Sequence, residues 1–327
     1  MCPIHLTSRH PSAPTSAKGP HMSIDSLHRA IPEHLEHRIT AADGRTLAVA
    51  EWGDPDGLPL LGVHGTPGSR ISWWEDPTIY ARHGLRRLSV DRAGYGDSTR
   101  DPGRAVVDFV DDIVAIADTL GVDRFAITGG SGGGPHVLAC AALLPDRVLR
   151  CLAQVSVAPF GQGGLPRDQW LAGMTRGNVA EFEAALVGEA AIRELCMAER
   201  APMLDRIGAG DPNILGSNYD MADADREQMQ RHRVRMSAQL LEALKDGVDG
   251  WVDDELAFVK PWGFDVADIR VPVRLVYGRA DTLVPGPHGD WLAAHIPGAV
   301  AEVSEVGHMG SDDDVERHHA WLAGQWA

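Results

Sequence analysis

Residues 124–136 read RFAITGGSGGGPH, one serine set among five glycines directly after a short apolar run. Gly129-Gly130-Ser131-Gly132-Gly133 fits the pattern G-x-S-x-G, with a strand predicted before it and a helix after it. In that context the serine stands on a sharp strand-to-helix turn with its hydroxyl exposed. Gly129 and Gly133 fall where a side chain would strike the neighbouring helix and strand. The helix N-terminus beneath Ser131 favours developing negative charge. A flexible linker would not be bracketed by a buried strand and an apolar helix. A phosphate-cradling loop would carry a lysine in P-loop register, and none follows. Gly130, Gly132 and Gly134 exceed what the turn needs, and the expectation is a roomy pocket beside Ser131.

A serine is a weak nucleophile without a base and an orienting acid. On a turn of this kind the partners follow in the order Ser, Asp or Glu, His. Asp281, in VYGRADTLVP, lies just beyond a predicted strand, and His308, in EVGHMG, lies just beyond the last one. The chain has 15 histidines. His136 belongs to the helix after the turn, His318 and His319 to the last helix, and His288 and His295 to a surface helix, while His64 reads as a buried histidine shaping a loop. Only His308 has both the loop position and the order. The competing place for the acid, QVSVAPFGQGG, contains no carboxylate. These residue types suit acyl transfer, which also needs donors for a tetrahedral oxyanion. The backbone N–H groups of Gly132 and of Thr66, in HGTPGSR, are the candidates, with the Thr66 hydroxyl as a further donor. No metal or organic cofactor is called for.

The elements that must carry these residues follow from periodicity. Residues 36–52 alternate about an Asp43-Gly44 turn and predict a β-hairpin. LPLLGVHG, LRRLSVDR, RFAIT and LRCLAQVSV read as short strands buried on both faces. Helices are predicted near Trp73–His83, over 107–120 and over GPHVLACAALLPDRV. The alternation implies an α/β fold with a mostly parallel sheet. It breaks at about residue 160, where long polar helical patterns run to about 262, and returns at VPVRLVYG and AVAEVSEVG. The organisation is therefore a disordered tail over 1–30, a core over 31–160 and 263–327, and a helical insertion over 161–262. Asp312–Asp314 reads as a helix N-terminus. Asp91, Asp97 and Ser98 of DRAGYGDST read as a loop-stabilising network with Tyr95 bordering the pocket, and Trp73, Trp74 and Trp262 as core or hinge residues.

The 46 acidic against 30 basic residues, a formal charge of −16, argue against nucleic acid or an anionic membrane as partner. No stretch approaches the length of a membrane span, and the first 30 residues lack a signal's apolar region. Met22 is a second candidate start. Cys2, Cys140, Cys151 and Cys196 form no CxxC pair, and three of them read as small buried hydrophobes. The expected setting is cytoplasmic, as a monomer or homodimer.

Taken together, His64-Gly65-Thr66-Pro67-Gly68, Asp91-Arg92-Ala93-Gly94-Tyr95-Gly96-Asp97-Ser98, the serine turn, Asp281 in GRADTLVP and His308 in GHMG resemble the α/β-hydrolase superfamily over about residues 36–327. The resemblance implies an eight-stranded sheet with an all-helical cap inserted after strand six. It also implies a serine hydrolase acting on a carboxylic ester, lactone or related small acyl compound. Proline iminopeptidases are similar at the His64 loop, but typically carry another glycine where Thr66 stands and a tryptophan where Gly132 stands. Haloalkane dehalogenases and epoxide hydrolases share the cap but use aspartate in place of Ser131. Carbon–carbon bond hydrolysis or perhydrolysis by the same three residues, and a ligand-binding sensor on this fold, are the alternatives.

Overall fold

The Asp43-Gly44 turn closes the first hairpin, with Gly44 at φ +89° and the Asp43 carboxylate accepting the Arg45 N–H at 3.0 Å. Only a residue without Cβ takes that φ freely. This is a computed structural model, and it describes residues 24–72 and 76–324. The hairpin strands are β1 (Leu35–Thr40) and β2 (Thr46–Gly53), paired antiparallel with Thr40 opposite Thr46. They are followed by β3 (Leu58–Val63), β4 (Leu85–Val90), β5 (Phe125–Gly130), β6 (Val148–Gln154), β7 (Val273–Gly278) and β8 (Val300–Ser304). The eight strands form one sheet in the order β1-β2-β4-β3-β5-β6-β7-β8. All pairs from β4 to β8 are parallel, and β2 meets β4 antiparallel.

Helices cover both faces. They are α1 (Ile24–Ala30), α2 (Thr78–Arg82), α3 (Phe109–Thr119), α4 (Gly133–Leu143), α5 (Arg167–Trp170), α6 (Arg176–Val187), α7 (Glu189–Gly208), α8 (Asp223–Arg231), α9 (Arg233–Ala243), α10 (Asp249–Phe258), α11 (Gly286–His295) and α12 (Val315–Leu322). Side chains of a strand alternate between faces. Leu61, Val63, Leu88, Val90 and Ile127 accordingly share one core with Ile113 of α3 and Val137 of α4. Leu60, Leu85, Ala126 and Leu152 share the other with Tyr80 of α2 and Leu322 of α12. The second core continues into the insertion through Ile192, Met203, Leu244 and Trp251.

Between β6 and β7 the chain runs through α5 to α10 without adding a strand to the sheet. The long helical pattern over NVAEFEAALVGEAAIRELCMAER is broken at Gly188, which lies at φ +136°. The predicted helix near Trp73–His83 is present as α2; Trp73 and Trp74 lie outside the described residues. Cys140, Cys151 and Cys196 are buried free thiols, as expected. Asp312–Asp314 form a 3₁₀ turn leading into α12, with the Ser311 hydroxyl accepting the Asp313 N–H. Asp312 also accepts hydrogen bonds from Arg231 at 2.8 Å and His232 at 2.9 Å, tying this turn to the insertion.

One boundary needs correction. The last part of the stretch expected to be a disordered tail is ordered instead: Ile24–Ala30 form α1, which packs on α9 with Leu27 1% exposed. Residues 1–23 lie outside the described residues. Leu27 is an apolar anchor that a polar, proline-containing neighbourhood conceals in the sequence. Leu27→Ala should lower stability by about 2–5 kcal/mol, the usual range for emptying a buried leucine site. Urea unfolding of the two proteins would measure it.

Candidate active site

Ser131 follows the last residue of β5 directly and is held at φ +53°. That region is costly for a residue with a Cβ, and such strain persists only where the surroundings over-determine it. The glycines supply the determination. A Cβ on Gly129 would lie 2.7 Å from the Gly133 carbonyl oxygen and 2.9 Å from Val137 on α4. One on Gly133 would lie 2.6 Å from the Val63 oxygen and 2.7 Å from the His64 oxygen at the end of β3. Strand, turn and helix therefore close on one another with no room for a side chain, as the spacing predicted.

The extra glycines have a different explanation from the expected roominess. A Cβ on Gly132 would overlap the Thr66 hydroxyl and approach Phe258 to 3.0 Å, and one on Gly134 would overlap Ser156. These two positions are filled by neighbours rather than left open. Only Gly130 faces space, with nothing nearer than 3.9 Å.

The loops after β7 and β8 bring Asp281 and His308 to the same end of the sheet as Ser131. The His308 Nδ1–H donates to Asp281 Oδ2 at 2.8 Å. The other Asp281 oxygen accepts the N–H groups of Leu283 and Val284 at 2.8 and 2.9 Å, which fixes the carboxylate in its own turn. Burial disfavours a charged His308 ring, but the adjacent Asp281 carboxylate, with Asp225 behind it, outweighs burial and raises the ring's pKa above the ordinary histidine value. Ser131 and His308 line one cavity of about 190 Å³ together with Thr66, Gly132 and apolar walls that include Phe182, Trp251 and Phe258. Neither the Thr66 nor the Gly132 N–H has an acceptor among the described residues.

The Thr66 hydroxyl is not available as the further donor. It donates to Asp254 Oδ2 at 2.5 Å and accepts from Arg92 Nη2 at 3.0 Å. Asp254, on α10, is buried and also binds Arg92, Arg104 (2.6 Å) and the Tyr95 hydroxyl (2.8 Å). Despite burial, the two guanidinium groups hold its carboxyl far below the usual carboxylate range. Tyr95 is thus spent on this network and does not border the cavity. His64 is buried, donates Nδ1–H to the Gly65 oxygen at 2.7 Å and accepts the Arg92 N–H at 3.1 Å. Burial pushes its pKa well down, so it is a neutral loop-shaping residue. Asp91 and Ser98 form the expected loop network, with Asp91 accepting from Arg70 and from the Asp97 N–H. Trp262 is buried against Phe264. His288 is not a surface residue: it is buried, accepts the Ala158 N–H at 3.0 Å and donates to the Trp170 oxygen at 2.8 Å.

The sequence reading missed the residues that the insertion contributes. Asp225 of α8 accepts the backbone N–H groups of His308 and Met309 at 2.9 and 2.8 Å, and a Cβ on Gly307 would overlap its carboxylate. Within α10, Asp253 grips Arg100 with both oxygens at 2.8 Å, Asp254 the Arg92 cluster, and Glu255 shares a hydrogen bond with Glu181. Successive residues on a helix point about 100° apart, so one acidic triplet reaches three separate partners. The signal for this was WVDDELAF, three carboxylates inside an otherwise apolar helix. Asp225, among other charged residues, left no signal.

Glu181 and Glu255 both line the cavity. Glu181 accepts from the Tyr219 hydroxyl and from Trp251 Nε1 at 3.2 Å, while one Glu255 oxygen is buried without a partner. Burial raises both carboxyls above the ordinary carboxylate range. Among the described residues no group of three or more His, Cys, Asp or Glu is arranged to hold a metal. No helix there is long and apolar enough to cross a membrane.

The Glu181–Glu255 pair makes a stability prediction. Between the unfolded carboxyl pKa of about 4.3 and the pair's raised values, the folded chain holds protons that the unfolded chain has released. Stability contributed by the protonated pair is full below that window and is lost as pH rises through it. Glu255→Gln keeps a donor toward Glu181 without the second titrating group. Its melting temperature should therefore fall less than the wild type's between pH 5 and pH 8, as thermal unfolding at both pH values would show.

The family model for the alpha/beta hydrolase fold matches residues 59–315. A non-heme chloroperoxidase of Streptomyces lividans is 30% identical over 161 residues, 47% of this chain and 55% of that protein, so the chain spans about half of that relative's length. A proline iminopeptidase of Neisseria meningitidis is 25% identical over 287 residues, 80% of this chain and 86% of that protein. A solved hydrolase from Pseudomonas aeruginosa superposes with a TM-score of 0.62 at 21% identity, covering 89% of this chain and 96% of that one. The family match runs from β3 through the turn that opens α12, and by it the chain belongs to the α/β-hydrolase fold family.

Proposed function

We propose that this protein is a serine hydrolase that cleaves a carboxylic ester, lactone or related small acyl compound through an acyl-enzyme on Ser131. The observation that carries the reading is the convergence on one cavity of a strained serine, a histidine already oriented by Asp281, and two backbone N–H groups without acceptors. In this reading Ser131 Oγ attacks the carbonyl carbon while His308 Nε2 takes its proton. The Thr66 and Gly132 N–H groups receive the oxyanion, and Asp281 stabilises the imidazolium. His308 returns the proton to the leaving alcohol, and water then releases the acid by the same steps reversed. Residues 161–262 act as a cap, since Phe182, Met203, Leu240 and Trp251 from this segment wall the cavity. The cavity volume of about 190 Å³ suits a small acyl group.

A second reading rests on the Glu181–Glu255 pair. A carboxyl pair that lines the cavity, with one buried Glu255 oxygen lacking a partner among the described residues, complements a cation. Acyl compounds bearing a protonated amine are therefore the alternative substrates, in keeping with the iminopeptidase relative. Comparing an amino-acyl ester with its des-amino analogue separates the two, and the leading reading expects the des-amino compound to be turned over at least as well.

Ser131→Ala should lower turnover of an activated ester by about 10⁴-fold or more and abolish labelling by a fluorophosphonate. Full activity in that variant would refute the mechanism. Because His308 must be neutral to accept the proton, and its pKa is raised, kcat/KM should fall on acidification with an apparent pKa above about 6.5. Asp225→Ala frees the His308 loop and removes a nearby negative charge. It should reduce kcat by about tenfold to a hundredfold and move that acid limb to lower pH, which a pH–rate profile reads directly.

A further inference from the structure

Ser131 and His308 also line a second cavity, to which the insertion contributes Arg235 and Gln239 of α9. It has a volume of about 330 Å³ and lies between the sheet and α12. Its walls include Arg87, Thr128, Gln154 and Gln239, and no Asp or Glu among the described residues. Gly65, Ser131, Gln239, His308 and Met309 line both cavities, so the reacting hydroxyl stands at their junction.

Arg87 is the unusual member. Arg87 lines the cavity without an ion pair among the described residues. Its Nε–H donates to Ser89 Oγ at 3.1 Å, and Ser89 in turn donates to the Ser72 oxygen at 3.3 Å. The stem is thereby anchored, while the two terminal nitrogens make no hydrogen bond among the described residues. The sheet makes room for them, since a Cβ on Gly62 of β3 would overlap the guanidinium. Thr128, Gln154 and Gln239 add side-chain polar groups without hydrogen-bond partners among the described residues. His319 nearby donates to the Val315 oxygen, and burial holds its pKa at about 4, so it is a neutral neighbour. An anchored, planar fork with free N–H groups matches the two oxygens of a carboxylate. Gly62 is level with Thr128, three residues before Ser131, which sets the fork about 10 Å below the nucleophile at the usual strand rise.

We propose that this second cavity seats a carboxylate carried by the substrate, so that the protein prefers acyl compounds bearing a free acid group at a fixed distance from the scissile bond. The inference rests on the serine-hydrolase reading, and it assigns Arg87 as the residue that determines specificity. The acid group belongs either to the acyl arm, as in a monoester of a dicarboxylic acid, or to the alcohol arm, as in an acylated hydroxy acid.

The test uses both series in graded chain lengths, each compound paired with its neutral methyl ester. In one series, at one chain length, the wild type should favour the acid by about tenfold or more in kcat/KM, the range of a charge-assisted hydrogen-bond pair. The series showing the optimum identifies the arm. In Arg87→Gln the ratio of acid to neutral substrate should fall to within about twofold of unity, and Arg87→Lys, which keeps the charge without the fork, should lie between. On the unaltered protein, free dicarboxylates should inhibit turnover of a neutral ester more strongly than monocarboxylates of the same length. No preference for the acid in either series, or the same preference in Arg87→Gln, would overturn the proposal. Undiminished turnover of neutral esters by Ser131→Ala would instead overturn the hydrolase reading.

Discussion

Asp254 is the constraint on which the rest of the site depends. It is a carboxylate from a helix inserted between strands six and seven, yet it lies buried beneath the loop that follows strand three. Burying one charge is prohibitive unless it is paired and fully hydrogen-bonded. Here Arg92, Arg104, Tyr95 and Thr66 all donate to it. The cluster carries two positive charges against one negative, and its surplus lies next to the Thr66–Gly132 end of the cavity. Replacing Asp254 alone would leave two buried guanidinium groups without their shared counter-charge. The arrangement therefore holds α10, the Thr66 loop and the loop after β4 in one mutual geometry. It also explains why Gly132 tolerates no side chain, because the Thr66 hydroxyl that would collide with one is fixed by Asp254.

Much of this molecule was legible in the sequence because its determinants are local. The serine turn is specified by Gly129 and Gly133, two residues either side of Ser131, and both meet the neighbours that the spacing implies. The strands announce themselves as short apolar runs, and the positions of Asp281 and His308 follow from strand ends. What stayed hidden is carried by pairs far apart in the chain. Asp225 contacts the His308 loop across 83 residues and Asp254 contacts Thr66 across 188, and no periodicity encodes such distances. His288 looked like a surface residue because α11 has little amphipathic contrast, although its ring hydrogen-bonds on both sides within the core. Gly132 suggested empty space because a glycine in a sequence does not reveal whether its missing side chain leaves a void or admits a neighbour.

The two cavities divide the labour of the sheet edge differently. On the insertion side the walls are apolar, interrupted by the Glu181–Glu255 pair. On the α12 side Leu152, Val315 and Leu322 stand beside Thr128, Gln154 and the Arg87 guanidinium, which the sheet admits by giving up a Cβ at Gly62. A strand residue at mid-sheet is an unusual origin for a polar group near a candidate active site, since loops at strand ends supply most of them. Arg87 reaches there only because its side chain is long and runs along the strand direction.

The hydrogen bonds from His308 and Met309 to Asp225 bear on how such an enzyme can be remodelled. Inserted helical segments are attractive units for exchange between relatives, because they are continuous in sequence and bounded by two strands. In this protein such an exchange would remove the acceptor for two backbone N–H groups beside the histidine and leave a glycine at 307 whose reason had vanished. The insertion is therefore not a detachable cassette. A transplanted segment would need a carboxylate at the position of Asp225 and another at that of Asp254 to keep the His308 and Thr66 loops in place.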